Sequence, residues 1–379
     1  MLKYRIGDTY HRGDKMALLK DLIVEITKRN NEGKELPLLG VNKDKEFMPS
    51  VANVIGTDLS NYKIVKKRQF ATNLMHVDRD ELVPVSMLED YDEALISPAY
   101  NVFQVKDEKI VIPEYLLLCF KRSEFDRCAW FYSGSSIRGN LDYKKFLEID
   151  IPLPDIDKQK KIIDDYKAIQ KEIRIKEAIN NNLLEQAHQI VNNANIADKI
   201  NLRDVPGLIE ISSGVKKYSG YKKYYATGDV EPFRFLKTFE LVEYSNRPSR
   251  ANMTPISNSI WFAKMQFTKK VIFFDVANEQ IILSTGFMGI QTNQNNFYYL
   301  VNFISTKEFE DQKDKYATGT TQIAINSSAL DKIQIPYDDK VTLLNQQLEP
   351  IYKMIANNES EIAKLNDLQN IIVSKLAQQ

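Results

Sequence analysis

The sequence is poor in the residues that bind metals and form disulfides, with 2 cysteines and 3 histidines among 379 residues. Cys119 and Cys128 are too few for a disulfide framework, so we expect buried apolar thiols in a cytoplasmic protein. Their spacing relative to His11, His76 and His188 matches no zinc-ligand pattern. The sequence therefore predicts no metal site.

Long apolar runs and an excess of one charge are also missing. No window approaches the roughly 20 consecutive apolar residues of a membrane-spanning helix, and the N-terminal segment MLKYRIGDTYHRGDK does not have the pattern of a signal peptide. The 51 Lys and Arg residues balance 51 Asp and Glu residues, which argues against a protein that coats nucleic acid through its overall charge. Local basic patches are compatible with this balance.

Signatures of catalysis are likewise missing. The chain contains no GxxxxGK[ST] phosphate loop. The segment 97–100 (SPAY) is weakly similar to the Asn/Asp-Pro-Pro-aromatic motif of amino-methyltransferases, but it lacks the amide or carboxylate side chain at the first position. We therefore expect a protein without catalysis of its own that binds no cofactor.

What the sequence has is helical periodicity in two stretches, residues 157–197 and 339–379. Apolar residues recur there at steps of three and four, which places one apolar seam along a long helix. A seam of this length needs a partner helix to be stable. The first seam contains Ile162, Tyr166, Ile169, Ile173, Leu183, Ala187, Ile190 and Ala194, and the second contains Leu344, Leu348, Ile351, Ile355, Ile362, Leu365, Ile372 and Leu376.

Polar residues interrupt both seams, Lys176 and Asn180 in the first and Asn358 and Gln369 in the second. A polar residue at a seam position lowers stability but fixes register and pairing. Two seams of similar length favour an antiparallel pair within the chain over a core helix of an ordinary domain. Pro350 lies inside the second helix and predicts a kink or a separate first turn.

Two globular segments precede these helices, as expected for a chain too long for one typical domain. Residues 1–155 have a mixed α/β pattern, with predicted helices at 16–27 and 114–127 and short strand-like runs between them. Residues 201–338 restart the same kind of unit and include a predicted helix at 293–306. The order is globular unit, long helix, globular unit, long helix.

The segment that closes the first globular unit recurs at the end of the second, so that Gly134 corresponds to Gly319 and Pro152 to Pro336. A long repeat that occurs twice indicates internal duplication rather than a solenoid. The expected fold class is α+β: two α/β domains separated by an antiparallel two-helix coiled coil, with a pseudo-two-fold internal repeat. The predicted boundaries are 1–155 for the first domain, 156–200 for the first spacer helix, 201–338 for the second domain and 339–379 for the second spacer helix.

At these closing segments the chain resembles the specificity subunit of type I restriction-modification systems. The motifs that carry the resemblance are GSSIRGNLDYKKFLEIDIPLPDIDKQKKI and GTTQIAINSSALDKIQIPYDDKVTLLNQQLEPI. Each has a small-residue loop, a short Leu-containing helix, and Ile-x-Ile-Pro leading into a long helix. The second copy departs from the pattern at Tyr337 and Asp338, where Leu-Pro stands in the first.

The resemblance implies two target-recognition domains, each of which reads one half of a bipartite site in double-stranded DNA. The paired helices are expected to hold the domains apart and to dock two methyltransferase (modification) subunits. Motor-nuclease (restriction) subunits join that complex, and the specificity subunit has no catalysis of its own and no membrane association. A non-DNA adaptor, with two protein-binding heads on a coiled-coil spacer, stays open as the alternative.

In the second globular segment, two stretches are candidate DNA-binding sites. The stretch 215–225 is dense in Lys and Tyr, which suit phosphate and sugar contacts, and the loop 246–252 carries Arg and Asn, which suit bidentate contacts to base edges. The alternatives are a solvated loop with inward-packed tyrosines and an ordinary surface loop. The candidates are Lys216, Lys217, Tyr218, Tyr221, Lys222, Lys223, Arg247, Arg250 and Asn252.

In the first globular segment the candidates are fewer. A basic run in NYKIVKKR has two equally good interpretations. It fits phosphate contacts, and it fits the solvent face of a strand. Arg79 is a candidate base or phosphate reader, and the nearby His76 fits a structural hydrogen-bonding role better. The basic run consists of Lys63, Lys66, Lys67 and Arg68.

Overall fold

The chain divides into two units, each with a body of short strands and helices and a part of both long helices. In the computed structural model, unit 1 comprises residues 1–172 and 365–379, and unit 2 comprises residues 173–364. The structure describes residues 15–50, 56–75, 77–134, 139–236 and 239–377.

The body of unit 1 alternates short strands and short helices and leads into the first long helix. Its elements are β1 (Met16–Leu18), α1 (Leu19–Leu22), β2 (Ile23–Ile26), β3 (Leu38–Val41), β4 (Phe47–Pro49), β5 (Lys63–Lys66), β6 (Phe70–Thr72), α2 (Val77–Asp80), β7 (Val85–Met87), β8 (Glu93–Ile96), β9 (Asn101–Val105), α3 (Pro113–Phe120), α4 (Ser123–Ser133), α5 (Tyr143–Leu147), β10 (Asp150–Pro152) and α6 (Ile156–Asn193).

Two four-stranded sheets form this body, in the orders β2-β9-β6-β7 and β4-β3-β8-β5, and β1 pairs with β10. Phe70 and Phe103 stack across β6 and β9 with their ring centroids 5.2 Å apart. Phe120 from α3 meets both rings edge-on. This aromatic cluster packs the helices on one face of the first sheet, because pairs of large rings bury much apolar surface in defined geometries.

The body of unit 2 leads into the second long helix. Its elements are β11 (Lys199–Asn201), β12 (Ile209–Glu210), β13 (Lys222–Tyr225), β14 (Val230–Glu231), β15 (Arg234–Phe235), β16 (Glu240–Val242), β17 (Ala251–Met253), β18 (Ser259–Ala263), β19 (Val271–Phe274), β20 (Ile281–Ser284), β21 (Phe287–Gln291), α7 (Phe297–Ser305), α8 (Lys307–Tyr316), β22 (Gln334–Pro336) and α9 (Val341–Ser374).

The sheets of unit 2 repeat the topology of unit 1. Their orders are β12-β21-β18-β19 and β16-β13-β20-β17, and β11 pairs with β22 as β1 pairs with β10. Each position in one order has a counterpart in the other, including the parallel pairs β3–β8 and β13–β20. The predicted α+β fold with an internal repeat is therefore confirmed.

Buried polar side chains recur at equivalent places in the two units. The Tyr115 hydroxyl donates to the Pro152 carbonyl at 3.0 Å, and Tyr299 makes the same bond to Pro336. The amide of Gln159 on α6 accepts from the backbone at the start of α3, and Asn345 on α9 does so at the start of α7. The bonds to Gln159 and Asn345 satisfy N–H groups at the starts of helices, which burial would otherwise leave without partners.

Within unit 2 the long helices pack antiparallel, because Lys176 on α6 pairs with Glu361 on α9 and Asn180, further along α6, bonds Asn358. The Asn358 amide donates to the Asn180 side-chain oxygen at 2.7 Å in a buried position. Two of the four polar residues at the predicted seam positions, Asn180 and Asn358, therefore pair with each other across the interface. A buried amide pair of this kind favours one register over its neighbours.

Two local predictions were wrong, and so was one of the two alternatives for Pro350. Residues 16–27 form strand, one helical turn and strand, because β2 pairs with the distant β9 and β1 with β10. The predicted helix 114–127 is broken into α3 and α4 at Arg122, whose backbone is extended and whose side chain is buried.

The third correction concerns Pro350. Helix α9 continues through this residue without a separate first turn. Proline removes one N–H bond to the carbonyl four residues earlier, but Pro350 lies on the exposed face of α9. Water can satisfy the carbonyl that is left free on that face, so the apolar packing of the other face keeps the helix continuous.

Cys119 is buried and Cys128 is partly buried, and burial raises the pKa of the Cys119 thiol to about 12. None of the helices in the described ranges is long and apolar enough to span a lipid bilayer. The described residues also include no cluster of three His, Cys, Asp or Glu side chains that could hold a metal ion.

Candidate nucleic-acid interface

The Lys- and Tyr-rich stretch of unit 2 runs from a loop into β13. Lys216 and Lys217 lie exposed in the loop, and Lys222 and Lys223 open the strand, where they pair with Val242 and Leu241 of β16. The four lysines therefore lie in the loop before β13 and at the first two positions of that strand, which is a central strand of the second sheet.

Tyr218 is an internal anchor of this stretch. Its hydroxyl donates to the Val242 carbonyl at 3.0 Å, and its ring meets Tyr244 edge-on at 5.7 Å. The ammonium group of Lys222 lies over the same ring at 4.7 Å from the centroid. Tyr218 therefore matches the inward-packed alternative, although it holds Lys222 in place through a cation–π contact.

Tyr221 differs from Tyr218, since its ring is largely exposed. A hydrogen bond with Glu243, together with the charge of that carboxylate, raises the pKa of Tyr221. Lys223 places its ammonium group 4.8 Å from the centroid of the Phe239 ring. Both side chains are thus oriented by neighbours on the sheet while they face solvent.

In the loop 246–252 the two arginines have different surroundings. Arg247 donates to the carbonyls of Ala251 and Tyr244 at 3.0 and 2.7 Å, and its guanidinium lies 4.2 Å from the centroid of the Tyr244 ring. It therefore closes the loop on itself. Arg250 is exposed just before β17, and its backbone carbonyl accepts from Thr285 at 2.9 Å.

The structure brings the two candidate stretches together. The Gly214 N–H donates to the carbonyl of Asn252 at 2.8 Å, and the rings of Tyr218 and Tyr244 are in contact. We call the resulting surface the unit 2 basic face. It consists of Lys216, Lys217, Tyr221, Lys222, Lys223, Arg247, Arg250 and Asn252. The neighbouring acidic residues are Glu240 of β16 and Glu243 just after it.

The basic run of unit 1 lies on and just after β5. Most of its charged groups form hydrogen bonds with backbone carbonyls or ion pairs with carboxylates. Lys63 donates to the Tyr100 carbonyl, and partial burial lowers the pKa of Lys63. Lys66 lies 3.5 Å from a carboxylate oxygen of Glu93. Lys66 and Lys67 are the exposed members of the run.

Arg68 and Arg79 are also held by acidic neighbours. Arg68 has a left-handed backbone, with φ at 67°, and pairs with Glu114 and, at 2.8 Å, with Glu108. Arg79 pairs with Asp80 at 2.9 Å, and hydrogen bonds from Arg79 and Lys43 lower the pKa of Asp80 to about 2. His76, the other candidate nearby, lies outside the described residues.

The unit 1 counterpart of the Lys- and Tyr-rich stretch was not apparent from the sequence. In the sheet order β3 takes the place of β13, and the residues that lead into β3 are NEGKELP. The one lysine among them, Lys34, lies 3.2 Å from Glu93. A comparison of the two repeats strand by strand would have revealed this difference, but the bodies of the repeats share too little sequence to align.

Comparison with known proteins gives these surfaces a context. Residues 84–185 match the family model described as "Type I restriction modification DNA specificity domain". This segment is similar to a type I restriction-modification DNA specificity domain. The match spans β7 to the last quarter of α6 and includes the first of the two repeated motifs. The resemblance inferred from the sequence is confirmed, and the alternative of a protein-binding adaptor is not favoured.

Solved structures resemble the chain over nearly its full length. The type I restriction-modification S subunit from M. genitalium aligns with a TM-score of 0.54 at 10% identity and covers 98% of this chain and 97% of its own. This likeness concerns the fold.

Two further structures align less well. The HsdS subunit from Thermoanaerobacter tengcongensis aligns with a TM-score of 0.37 at 12% identity, and each chain is covered over 97% of its length. A chain from a type I R-M system aligns with a TM-score of 0.45 at 12% identity, over 97% of this chain and 98% of its own. No curated protein matches the chain.

Proposed function

We propose that this chain is the DNA-recognition subunit of a type I restriction-modification complex, and that each globular unit reads one half of a bipartite DNA site. The match of residues 84–185 to a DNA specificity domain carries the proposal. The repeated topology supports the division of labour, because two copies of one scaffold can present two different surfaces to DNA.

In unit 2 we assign DNA contact to the unit 2 basic face. Lys216, Lys217, Lys222 and Lys223 would neutralise phosphates, since exposed ammonium groups release condensed counterions when they bind the backbone. Arg250 would read a base edge, because its side chain is exposed and guanidinium groups bond guanine in a bidentate geometry. Arg247 would support these contacts from within the loop.

In unit 1 we propose weaker phosphate contacts from Lys63, Lys66, Lys67, Arg68 and Arg79. Of these, Lys67 is the best placed, since the others have acidic or carbonyl partners. Base reading in this unit would depend more on hydrogen bonds and shape than on net charge.

The long helices are the proposed docking surface for two methyltransferase subunits, which motor-nuclease subunits would join. Exposed apolar side chains on these helices support this role, because a surface helix seldom keeps so many in water without a partner. They are Ile175 and Ile179 on α6 and Leu343, Met354, Leu368 and Ile371 on α9. Catalysis would belong to those partners, and this chain would bind no cofactor and act in the cytoplasm.

The test is to express the chain with its methyltransferase and to map methylated bases in the cell's DNA. We expect one motif with two specific parts separated by a non-specific spacer. Replacing residues 201–338 by the equivalent segment of another such subunit should change only one part. Methylation without a motif, or a change in both parts after the replacement, would contradict the proposal.

A further inference from the structure

The turn that joins β18 to β19 in unit 2 presents an aromatic ring to solvent. The side chain of Phe267 is 84% exposed, and Met265 beside it is also exposed. The backbone of Phe267 is left-handed, with φ at 57°, a conformation that bulky residues rarely adopt. An exposed ring on a strained turn is unfavourable in the isolated protein, so it indicates a function outside the fold.

The turn is held firmly by α8. The Phe267 N–H donates to the Asp314 carboxylate at 3.0 Å, and the Gln266 amide donates to the Asp314 carbonyl at 3.1 Å. Lys313, with a side chain that is 0% exposed, donates to the Thr268 carbonyl at 2.7 Å and pairs with Glu310. Because the buried Lys313 bonds the backbone of the turn, it fixes the position of the Phe267 ring.

Charge and continuity connect the turn with the unit 2 basic face. Residues 264–270 (KMQFTKK) contain three lysines and no acidic residue. The Lys264 N–H donates to the Gly286 carbonyl at 2.9 Å, and the adjacent Thr285 N–H donates to the carbonyl of Arg250 at 2.9 Å. The start of the turn is therefore linked through Gly286 and Thr285 to the residue proposed to read a base.

We propose that Phe267 is an apolar wedge that inserts between base pairs of duplex DNA when unit 2 binds its half-site. This inference rests on the proposed function. Apolar side chains inserted at a base step unstack it and kink the duplex, which lets a protein contact more of the backbone. The lysines of the turn would neutralise phosphates beside the kinked step.

The wedge is a property of unit 2 alone. In unit 1 the corresponding connection between β6 and β7 carries Met75 and then the short helix α2, with the Arg79–Asp80 ion pair at its surface. Its sequence, NLMHVDRDELVP, contains no aromatic ring of the Phe, Tyr or Trp type. We therefore expect the two half-sites to be deformed unequally.

The test uses the full chain in complex with its methyltransferase and duplexes that carry the mapped motif. 2-Aminopurine is placed at successive positions on either strand, because its fluorescence rises when it is unstacked. We expect a rise at one step in the unit 2 half-site. Phe267→Asn should abolish the rise and weaken binding about tenfold, since Asn tolerates a left-handed backbone but removes the ring. Phe267→Tyr should retain the rise.

Val276→Asn is the matched control, because Val276 is another exposed apolar residue in a turn of unit 2, and it should leave the rise unchanged. Binding by the unsubstituted complex without any fluorescence rise would overturn the wedge alone. A rise that persists in Phe267→Asn would also overturn it, and loss of methyltransferase assembly in that variant would assign the ring to a protein interface instead. Failure of the unsubstituted complex to bind the motif duplex would overturn the proposed function itself.

Discussion

Units 1 and 2 share the strand order of both sheets but distribute their positive charge differently. In unit 2, Lys216, Lys217 and Arg250 are exposed on neighbouring loops. In unit 1, Lys66 and Arg68 lie in ion pairs with glutamates. Strand order depends on buried apolar positions, whereas charges on loops and strand edges can change at little cost to the fold. The difference teaches that the strand order and the distribution of surface charge vary independently in this chain.

The long helices also differ between the two units. One residue that the repeat conserves, a tyrosine, is buried to different extents in the two copies. Tyr352 on α9 is fully buried in unit 2, and its hydroxyl donates to Asn302 at 3.0 Å. Tyr166 on α6, its counterpart in the repeat, is partly exposed in unit 1, with the Lys121 ammonium 5.9 Å from its ring centroid. A sequence match therefore does not imply an equal contribution to stability.

The largest expected effect follows from this pair. Tyr352→Ala should lower the free energy of unfolding by about 3–5 kcal/mol, because it leaves a cavity and removes the partner of the buried Asn302 amide. Tyr166→Ala should cost about 1 kcal/mol, since water already reaches that ring. Equilibrium urea unfolding of both variants gives the comparison, and equal reductions would show that the two copies of the helix are packed alike.

The next effect concerns charge. Changing Lys216, Lys217, Lys222 and Lys223 together to Ala should weaken binding to specific and scrambled duplexes about equally. The slope of log affinity against log salt should become shallower by about 0.9 for each phosphate that the variant no longer neutralises. The matched unit 1 variant changes Lys63, Lys66, Lys67 and Arg68 to Ala, and we expect a smaller change in its slope because most of those charges are already paired. Equal slopes for the two quadruple variants would remove the distinction between the units.

How much of this could be predicted from the sequence depends on whether local or distant contacts decide. The long helices were predictable, because the spacing of residues such as Leu348 and Ile355 reports burial on one helix face. Residues 16–27 were not, because Leu19, Leu22, Ile23 and Ile26 fit a helical face while pairing with the distant β9 and β10 imposes strands. Contacts between residues that are far apart in the sequence produce no periodic pattern of apolar residues.

For the candidate site, prediction from the sequence is limited by side-chain packing, which the sequence does not show. Arg247 and Arg250 lie three residues apart in one polar loop, and the sequence treats them alike. Only the ring of Tyr244 beneath Arg247 and the carbonyls it bonds separate a loop-closing arginine from an exposed one. Phe267 was missed altogether, although an aromatic residue between lysines in the stretch KMQFTKK was an available signal.

A smaller effect distinguishes single arginines in the two units. Arg250→Ala should cost about 1–3 kcal/mol of binding to the specific site and relax one position of the motif, as expected for a guanine reader. Arg68→Ala should leave the motif unchanged and reduce stability by about 1 kcal/mol or less, because its ion pairs are partly exposed. Methylation mapping shows which motif each variant recognises, and thermal unfolding measures the stability of each variant. A relaxed motif in Arg68→Ala would assign base reading to unit 1 at that residue.

The smallest expected effect is a pH dependence confined to unit 2. Partial burial and the nearby charge of Lys269 lower the pKa of His188, whose ring nitrogen lies 3.0 Å from the Ser305 hydroxyl. Below its ordinary pKa of about 6.5 the unfolded state therefore binds a proton that the folded state resists. Stability should fall as the pH is lowered from about 6.5 through the depressed pKa of the folded protein, and it should be fully present above pH 6.5. His188→Gln should reduce this slope, whereas carboxylates titrating at lower pH remain in both proteins. Urea unfolding at several pH values between 5 and 7.5 compares the two chains, and parallel curves would exclude His188 as the source.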